Sequence, residues 1–316
     1  MQKASDISSV SGVGVGAGGE VCAGACAAVG VGAGVSAGAG AGAGAGAPTS
    51  STPLLVASHI SCGYGRAQKY KQIVHDVSFQ VNAGDFLCII GANGCGKTTS
   101  LKALMGLLPL EGGEVTVCGT NLASMGERQR AQHFAYIPQA HTPPFPFKVA
   151  DVVLLGRTPY INKLARVTSK DRLIALYALR LLGIEHLAEK AYTTLSGGQQ
   201  QLVLIARALT QQSDILVMDE PTAALDFGNQ QLVLSRMRTL SEMGKAVIMV
   251  THDPDHALYC ANRVVVMDKG TVLREGTPAQ TITSEILAHI YGTQACVVDV
   301  PVGETGHTER VCIPLR

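Results

Sequence analysis

From Leu54 onward, short apolar runs alternate with segments whose apolar residues recur every three or four positions. Val77, Phe79 and Val81 alternate with polar neighbours, which predicts a half-buried strand over residues 74–81, and residues 54–59 predict another. The run Phe86–Ile90 is different, because it is apolar without a break until Gly91, and it predicts a strand covered on both faces. A helix is predicted over residues 97–107. Two further unbroken runs, residues 215–218 and 246–250, predict buried strands that lead into polar residues and then helical patterns. Strand, loop and helix in this alternation predict an α/β fold, whose ligands bind just beyond the carboxyl ends of the strands.

Residues 140 to about 200 break the alternation. Pro143, Pro144 and Pro146 interrupt the chain, and Ala175, Ala178, Leu179 and Leu182 then fall on one helical face. We read a helical subdomain inserted into the α/β core. Residues 296–300 and 311–315 predict a terminal hairpin, so the chain divides into residues 1–52, 53–292 and 293–316.

Composition changes the picture at the N-terminus, where residues 1–52 are nearly all Gly, Ala, Val and Ser. Such a stretch holds too few large apolar groups to pack, which predicts a disordered tail. Beyond residue 53 no apolar run approaches the roughly 18 residues of a membrane helix. The formal charge of +1 argues against a globally basic nucleic-acid binder. Nine cysteines without one Cys-x-x-Cys pair predict neither a disulfide framework nor a zinc site, and fit a reducing cytoplasm.

The loop between the predicted strand and helix reads Gly91-Ala92-Asn93-Gly94-Cys95-Gly96-Lys97-Thr98, followed by Thr99. Its glycines let backbone N–H groups curve around a polyphosphate at the positive end of a helix, with Lys97 reaching the β and γ phosphates and Thr98 giving its hydroxyl to Mg²⁺. A helix N-terminus also lowers thiol pKa values, which predicts a reactive, ATP-protected Cys95; a small side chain tolerated in a tight loop is the alternative. Asp219 and Glu220 end the run at residues 215–218. Asp219 is expected in the metal shell, and Glu220 as the general base that orients the attacking water.

Leu195-Ser196-Gly197-Gly198-Gln199 contains a capping box, Ser196 to Gln199, ahead of an apolar helical face. A cap needs no Gly197-Gly198, each of which costs a helix about 1 kcal/mol. Glycines there leave bare amides at a positive helix end, an anion site.

Together these motifs resemble the ATP-binding subunits of ABC transporters, whose signature Leu195–Gln199 matches without a change, and the similarity runs from about Leu54 to Tyr291. The resemblance implies a P-loop NTPase core with an antiparallel β subdomain and a helical insertion. It implies ATP and Mg²⁺ as ligands, and a head-to-tail dimer in which each signature caps the γ-phosphate on its partner. Tyr64 resembles the aromatic that stacks on adenine, and Gln139 the glutamine that contacts Mg²⁺ and water. His252 resembles the switch histidine, and Asp226 lies in the loop that couples the two sites. Residues 155–160, Leu-Gly-Arg-Thr-Pro-Tyr, and residues 226–230, Asp-Phe-Gly-Asn-Gln, are similar to the branch serving metal-chelate importers. That branch implies a peripheral place at the cytoplasmic face of the membrane, permease subunits as partners, an external binding protein beyond them, and no nucleic acid. Ferric siderophore is the expected cargo, with cobalamin, haem and molybdate or tungstate as alternatives. A soluble ABC ATPase acting on nucleic acid or the ribosome is the rival reading.

Overall fold

The computed structural model describes residues 52–65, 69–139, 146–161, 166–303 and 307–315. The predicted tail therefore lies, apart from Thr52, outside the described residues, as do Pro143 and Pro144.

In chain order the elements begin with β1 (Leu55–Tyr64), β2 (Lys71–Val81), β3 (Phe86–Ile90) and α1 (Lys97–Leu104). β4 (Gly112–Val117), β5 (Thr120–Asn121), α2 (Glu127–His133) and β6 (Phe134–Ile137) follow. The helical insertion holds α3 (Val149–Leu154), a 3₁₀ segment (Leu155–Tyr160) and α4 (Ser169–Leu181), and leads into α5 (Gly197–Gln211). Next come β7 (Ile215–Asp219), α6 (Phe227–Glu242), β8 (Ala246–Val250), α7 (Pro254–Cys260), β9 (Arg263–Asp268) and β10 (Thr271–Gly276). The chain closes with α8 (Pro278–Thr281), α9 (Ser284–Tyr291), β11 (Ala295–Val302) and β12 (His307–Pro314).

A six-stranded sheet in the order β10-β9-β3-β8-β7-β6 forms the centre, with every pairing parallel except β10 to β9. The unbroken apolar run of β3 is explained by its two faces. Phe86, Cys88 and Ile90 join the cluster under the helical insertion and α6. Leu87 and Ile89 join Leu101 and Leu104 of α1 and the antiparallel sheet β2-β1-β4-β5 on the other side. Both sides of the strand are core, so alternation would have left polar groups buried without partners.

The structure differs from expectation at several boundaries. The predicted helix over residues 97–107 stops at Leu104, because Gly106 turns the chain at φ +66°. β1 and β2 run longer than expected, β6, β9 and β10 were not predicted, and the helix that opens at the capping box continues to Gln211. The hairpin of β11 and β12 forms as expected, pairing Cys296 with Ile313 and Val297 with Cys312.

Candidate functional site

β3 delivers the chain to Gly91, and α1 leaves at Lys97. Between them Gly91, Gly94 and Gly96 take positive φ values of 153°, 79° and 107°. A Cβ on Gly91 would stand 2.2 Å from the Met267 carbonyl oxygen, so only glycine lets β9 and the loop meet. The buried Lys97 ammonium donates to the carbonyls of Gly91 and Ala92 at 2.7 and 2.9 Å. The loop thus wraps around a cation, and Asn93 and Gly94 lie exposed at its crest. Thr99 is buried at the start of α1.

The neighbouring Thr98 hydroxyl donates to Asp219 Oδ1 at 3.0 Å. Burial raises the pKa of Asp219, with the Thr98 hydrogen bond opposing that rise and the Glu220 charge adding to it. A largely buried carboxylate beside a hydroxyl, with its own charge disfavoured, is a donor set that a divalent cation would stabilise, and these residues fit Mg²⁺. Tyr136 also reaches Asp219; burial first, and then that carboxylate, push its phenol to about 12, so it stays a donor. Nothing in the local sequence around Tyr136 marks this contact.

Glu220 follows β7 with φ +48°, a left-handed conformation that strains a residue other than glycine. Its own N–H holds it there by donating to the Val250 carbonyl at 3.0 Å. The side chain lies between two neighbours: Gln139 Nε2 donates to Oε2 at 2.8 Å, and His252 Nδ1 lies 3.4 Å from Oε1. Gln139 comes from the end of β6 and His252 from the end of β8, so three parallel strands converge on one carboxylate. Such a carboxylate can accept a proton from water while its amide and imidazole neighbours fix where that water sits.

Ser196 caps α5 as expected. Its hydroxyl accepts from the Gln199 N–H at 3.4 Å, and Gln199 Oε1 accepts from the Ser196 N–H at 3.3 Å. Leu195 is buried and anchors the turn. The two glycines differ. A Cβ on Gly197 would meet open space, whereas one on Gly198 would stand 3.1 Å from the Ala224 carbonyl oxygen. Access accounts for Gly197 alone; Gly198 is needed for packing as well.

Asp226 caps α6, accepting from the Asn229 N–H at 2.9 Å, and Phe227 beside it is 77% exposed. Tyr64 ends β1 with an open aromatic face, 44% exposed. The structure thus joins Thr98 to Asp219, and Gln139 and His252 to Glu220, through direct contacts, while Lys97 bonds to the carbonyls of its own loop. Ser196, Gln199 and Asp226 bond instead within their own helix starts.

The expectation for Cys95 is overturned. Its side chain is buried, and burial raises the thiol pKa above the ordinary value even though Lys97 pulls it down. The reasoning from the helix N-terminus counted charge and omitted desolvation.

Two residues escaped sequence reasoning besides Tyr136. Tyr291, at the end of α9, donates its hydroxyl to the His252 carbonyl at 3.0 Å. Arg157, noted only as part of a branch mark, is a buried strut: it pairs with Asp171 at 2.9 Å, donates to Thr210 O and Gln212 Oε1, and lies 4.3 Å from the Tyr160 ring centroid. The adjacent Gly156 leaves no room for a Cβ, which would stand 2.2 Å from the Arg207 carbonyl oxygen. No helix among the described residues is long and apolar enough to cross a membrane.

Residues 74–223 match the family model described as ABC transporter. A Haemophilus influenzae protein described as an uncharacterized ABC transporter ATP-binding protein is 40% identical over 240 residues, 76% of this chain and 90% of that one. A hemin import ATP-binding protein of Thermobifida fusca is 37% identical over 80% of this chain and 87% of its own. An iron(3+)-hydroxamate import ATP-binding protein of Bacillus subtilis is 34% identical over 78% and 91%. Among solved structures, one described as a metal-chelate type ABC transporter in an inward-facing conformation superposes with a TM-score of 0.72 at 32% identity, covering 84% of this chain and 98% of that chain. A dimeric ATP-binding cassette holding ADP and phosphate gives 0.65 at 27%, covering 71% and 99%.

Proposed function

We propose, from the premise that the chain belongs to the ATP-binding subunits of ABC transporters, that it is the ATP-hydrolysing subunit of an importer whose cargo is a metal chelate. Members of this family hydrolyse ATP as dimers, which fits one complete motif set per chain. One observation carries the assignment of roles: Glu220 is held by Gln139 and faces His252, next to a phosphate loop whose Thr98 already reaches Asp219.

In this reading the 91–98 loop and Thr99 bind the nucleotide phosphates, and Lys97 exchanges its loop carbonyls for phosphate oxygens. Thr98, Asp219 and Gln139 would hold Mg²⁺, which when bound neutralises phosphate charge. Glu220 takes the proton of the attacking water, with Gln139 and His252 orienting that water. Tyr64 stacks on adenine. Leu195, Ser196, Gly197, Gly198 and Gln199 meet the phosphate of a second copy, and Asp226 opens the helix behind the loop that joins the two sites.

The partners are membrane-embedded permease subunits, reached through the helical insertion from the cytoplasmic face, with an external binding protein beyond them. For cargo we propose an iron chelate, ferric siderophore first and haem second, since relatives named for iron(3+)-hydroxamate and hemin resemble this chain over similar spans. A relative named for molybdate, 35% identical over 72% of this chain, keeps the oxyanion as the alternative. Reconstitution with candidate permeases and binding proteins from the same genome, in vesicles, tests the reading. Ferric siderophore or hemin should accelerate ATP turnover; recovery with ribosomes or nucleic acid, and never with a polytopic partner, would defeat the importer reading.

A further inference from the structure

Tyr291 is the last residue of α9, before the Gly292 turn at φ +65°. Its hydroxyl donates to the His252 carbonyl, and its ring joins Ile290, Ala92, Asn93 and His252 around a cleft of about 330 Å³ beside the phosphate loop. Burial raises the phenol pKa, helped by the nearby Asp253 and Cys95, while the Gly91 backbone acts the other way. The hydroxyl is therefore a proton donor throughout the working pH range.

This contact matters because the His252 side chain is itself loosely held. Its side chain is 56% exposed, and its ring nitrogen stands 3.4 Å from Glu220, a long distance for a hydrogen bond to set a rotamer. A bond to the main-chain carbonyl restrains the peptide itself, and with it the direction in which the imidazole leaves the backbone. The C-terminal hairpin braces the same region from behind. The Cys312 N–H donates to Asp255 Oδ1 at 2.8 Å, in the first turn of α7, and the Val297 N–H donates to Ser284 Oγ at 3.1 Å, at the start of α9. Tyr291 thus sits on a helix tied at one end to the hairpin and at the other to the switch.

We propose that Tyr291 is a positioning residue for ATP hydrolysis, its hydroxyl holding the His252 peptide so that the imidazole stays on the Glu220 side of the cleft, with the hairpin of β11 and β12 bracing the helix that carries it. The proposal rests on the roles given above to His252 and Glu220. It assigns the C-terminal extension a task in the chemistry without any direct contact to nucleotide.

The test is steady-state ATPase kinetics on the full chain with Tyr291→Phe, which keeps the ring and removes only the hydroxyl. We expect kcat to fall about tenfold as the His252 peptide loses its restraint, while KM for MgATP changes by less than about twofold. Adding Tyr291→Phe to His252→Ala should cost nothing further, since both act through one group. Unchanged turnover in Tyr291→Phe overturns the proposal, and so do multiplicative losses in the double variant. A parallel drop in melting temperature, nucleotide affinity and kcat overturns it too, by reducing Tyr291 to a packing residue. If His252→Ala alone turns over like the native chain, the reading of His252 fails, and that result is visible separately.

Discussion

Gln139 and Glu220 lie 81 residues apart in the chain, yet the Gln139 amide donates to the Glu220 carboxylate at 2.8 Å. A carboxyl group held by an amide on one side and facing an imidazole on the other is placed where, on the proposed reading, it would take a proton from a water between them.

Glu220→Gln keeps the shape and removes the base. Turnover should drop by about two orders of magnitude or more, while MgATP binding persists and the ATP-bound dimer accumulates on gel filtration. Near-native hydrolysis would remove Glu220 from the role of base.

Ser196 has two functions to separate. Ser196→Ala removes the cap hydroxyl, and should cost about 1 kcal/mol in urea unfolding while weakening ATP-dependent dimerisation only in part. Ser196→Arg adds a long cation where the partner's phosphate is expected, and should abolish dimer formation in the Glu220→Gln background with nucleotide affinity of the monomer unchanged. Equal dimer yields for both variants would return the segment to a helix start and nothing more.

Arg157→Met should destabilise the fold by about 3 kcal/mol or more, since it leaves the Asp171 carboxylate buried without its ion pair. The pH dependence has a definite sign. Asp171 is held below its ordinary pKa, first by the Thr168 hydroxyl and then, against the opposing effect of burial, by Arg157. Its contribution is complete above the unfolded value of about 4 and is lost as pH falls through the folded value. Urea midpoints of the native chain should therefore fall on going from pH 6 to pH 3, and fall less in Arg157→Met. The same acid loss in both proteins would show that the pair does not govern this range.

Cys95 should alkylate slowly in the folded protein, more slowly than the exposed Cys118, because burial shields its sulfur, while both thiols are held above the ordinary pKa. Mass-resolved labelling with iodoacetamide measures this directly, and rapid labelling of Cys95 would contradict the buried geometry.

Much of this site was legible because its chemistry is local. The strand–loop–helix around Gly91–Thr98 is encoded by consecutive residues, and so is the capping box at Ser196 and Gln199. What was not legible depends on partners distant in sequence. Tyr291 bonds a backbone carbonyl, which every residue carries and no motif marks. β9 and β10 did carry a local signal, the apolar run at residues 264–267 and the tight Lys269-Gly270 turn with φ +45° and +85°, but no chemistry drew the reading to it. Arg157 looked like a family mark until its partners, Asp171, Thr210 and Gln212, appeared around it. The error at Cys95 came from the same source: charge can be read from neighbours in sequence, but burial arises from neighbours in space.

The contact between Gly198 and the Ala224 carbonyl changes how the motifs should be counted. With 3.1 Å between a hypothetical Cβ and that oxygen, any side chain at this position would crowd the turn that follows Glu220, and glycine is what lets the start of α5 lie so close to it. That turn is itself closed by Gln230, whose amide donates to the carbonyls of Thr222 and Leu225. Two segments written separately in the sequence therefore lie against each other, and the fit depends on one glycine. On the proposed reading, a neighbouring copy that presses on Gly198 would press on the turn behind Glu220 as well.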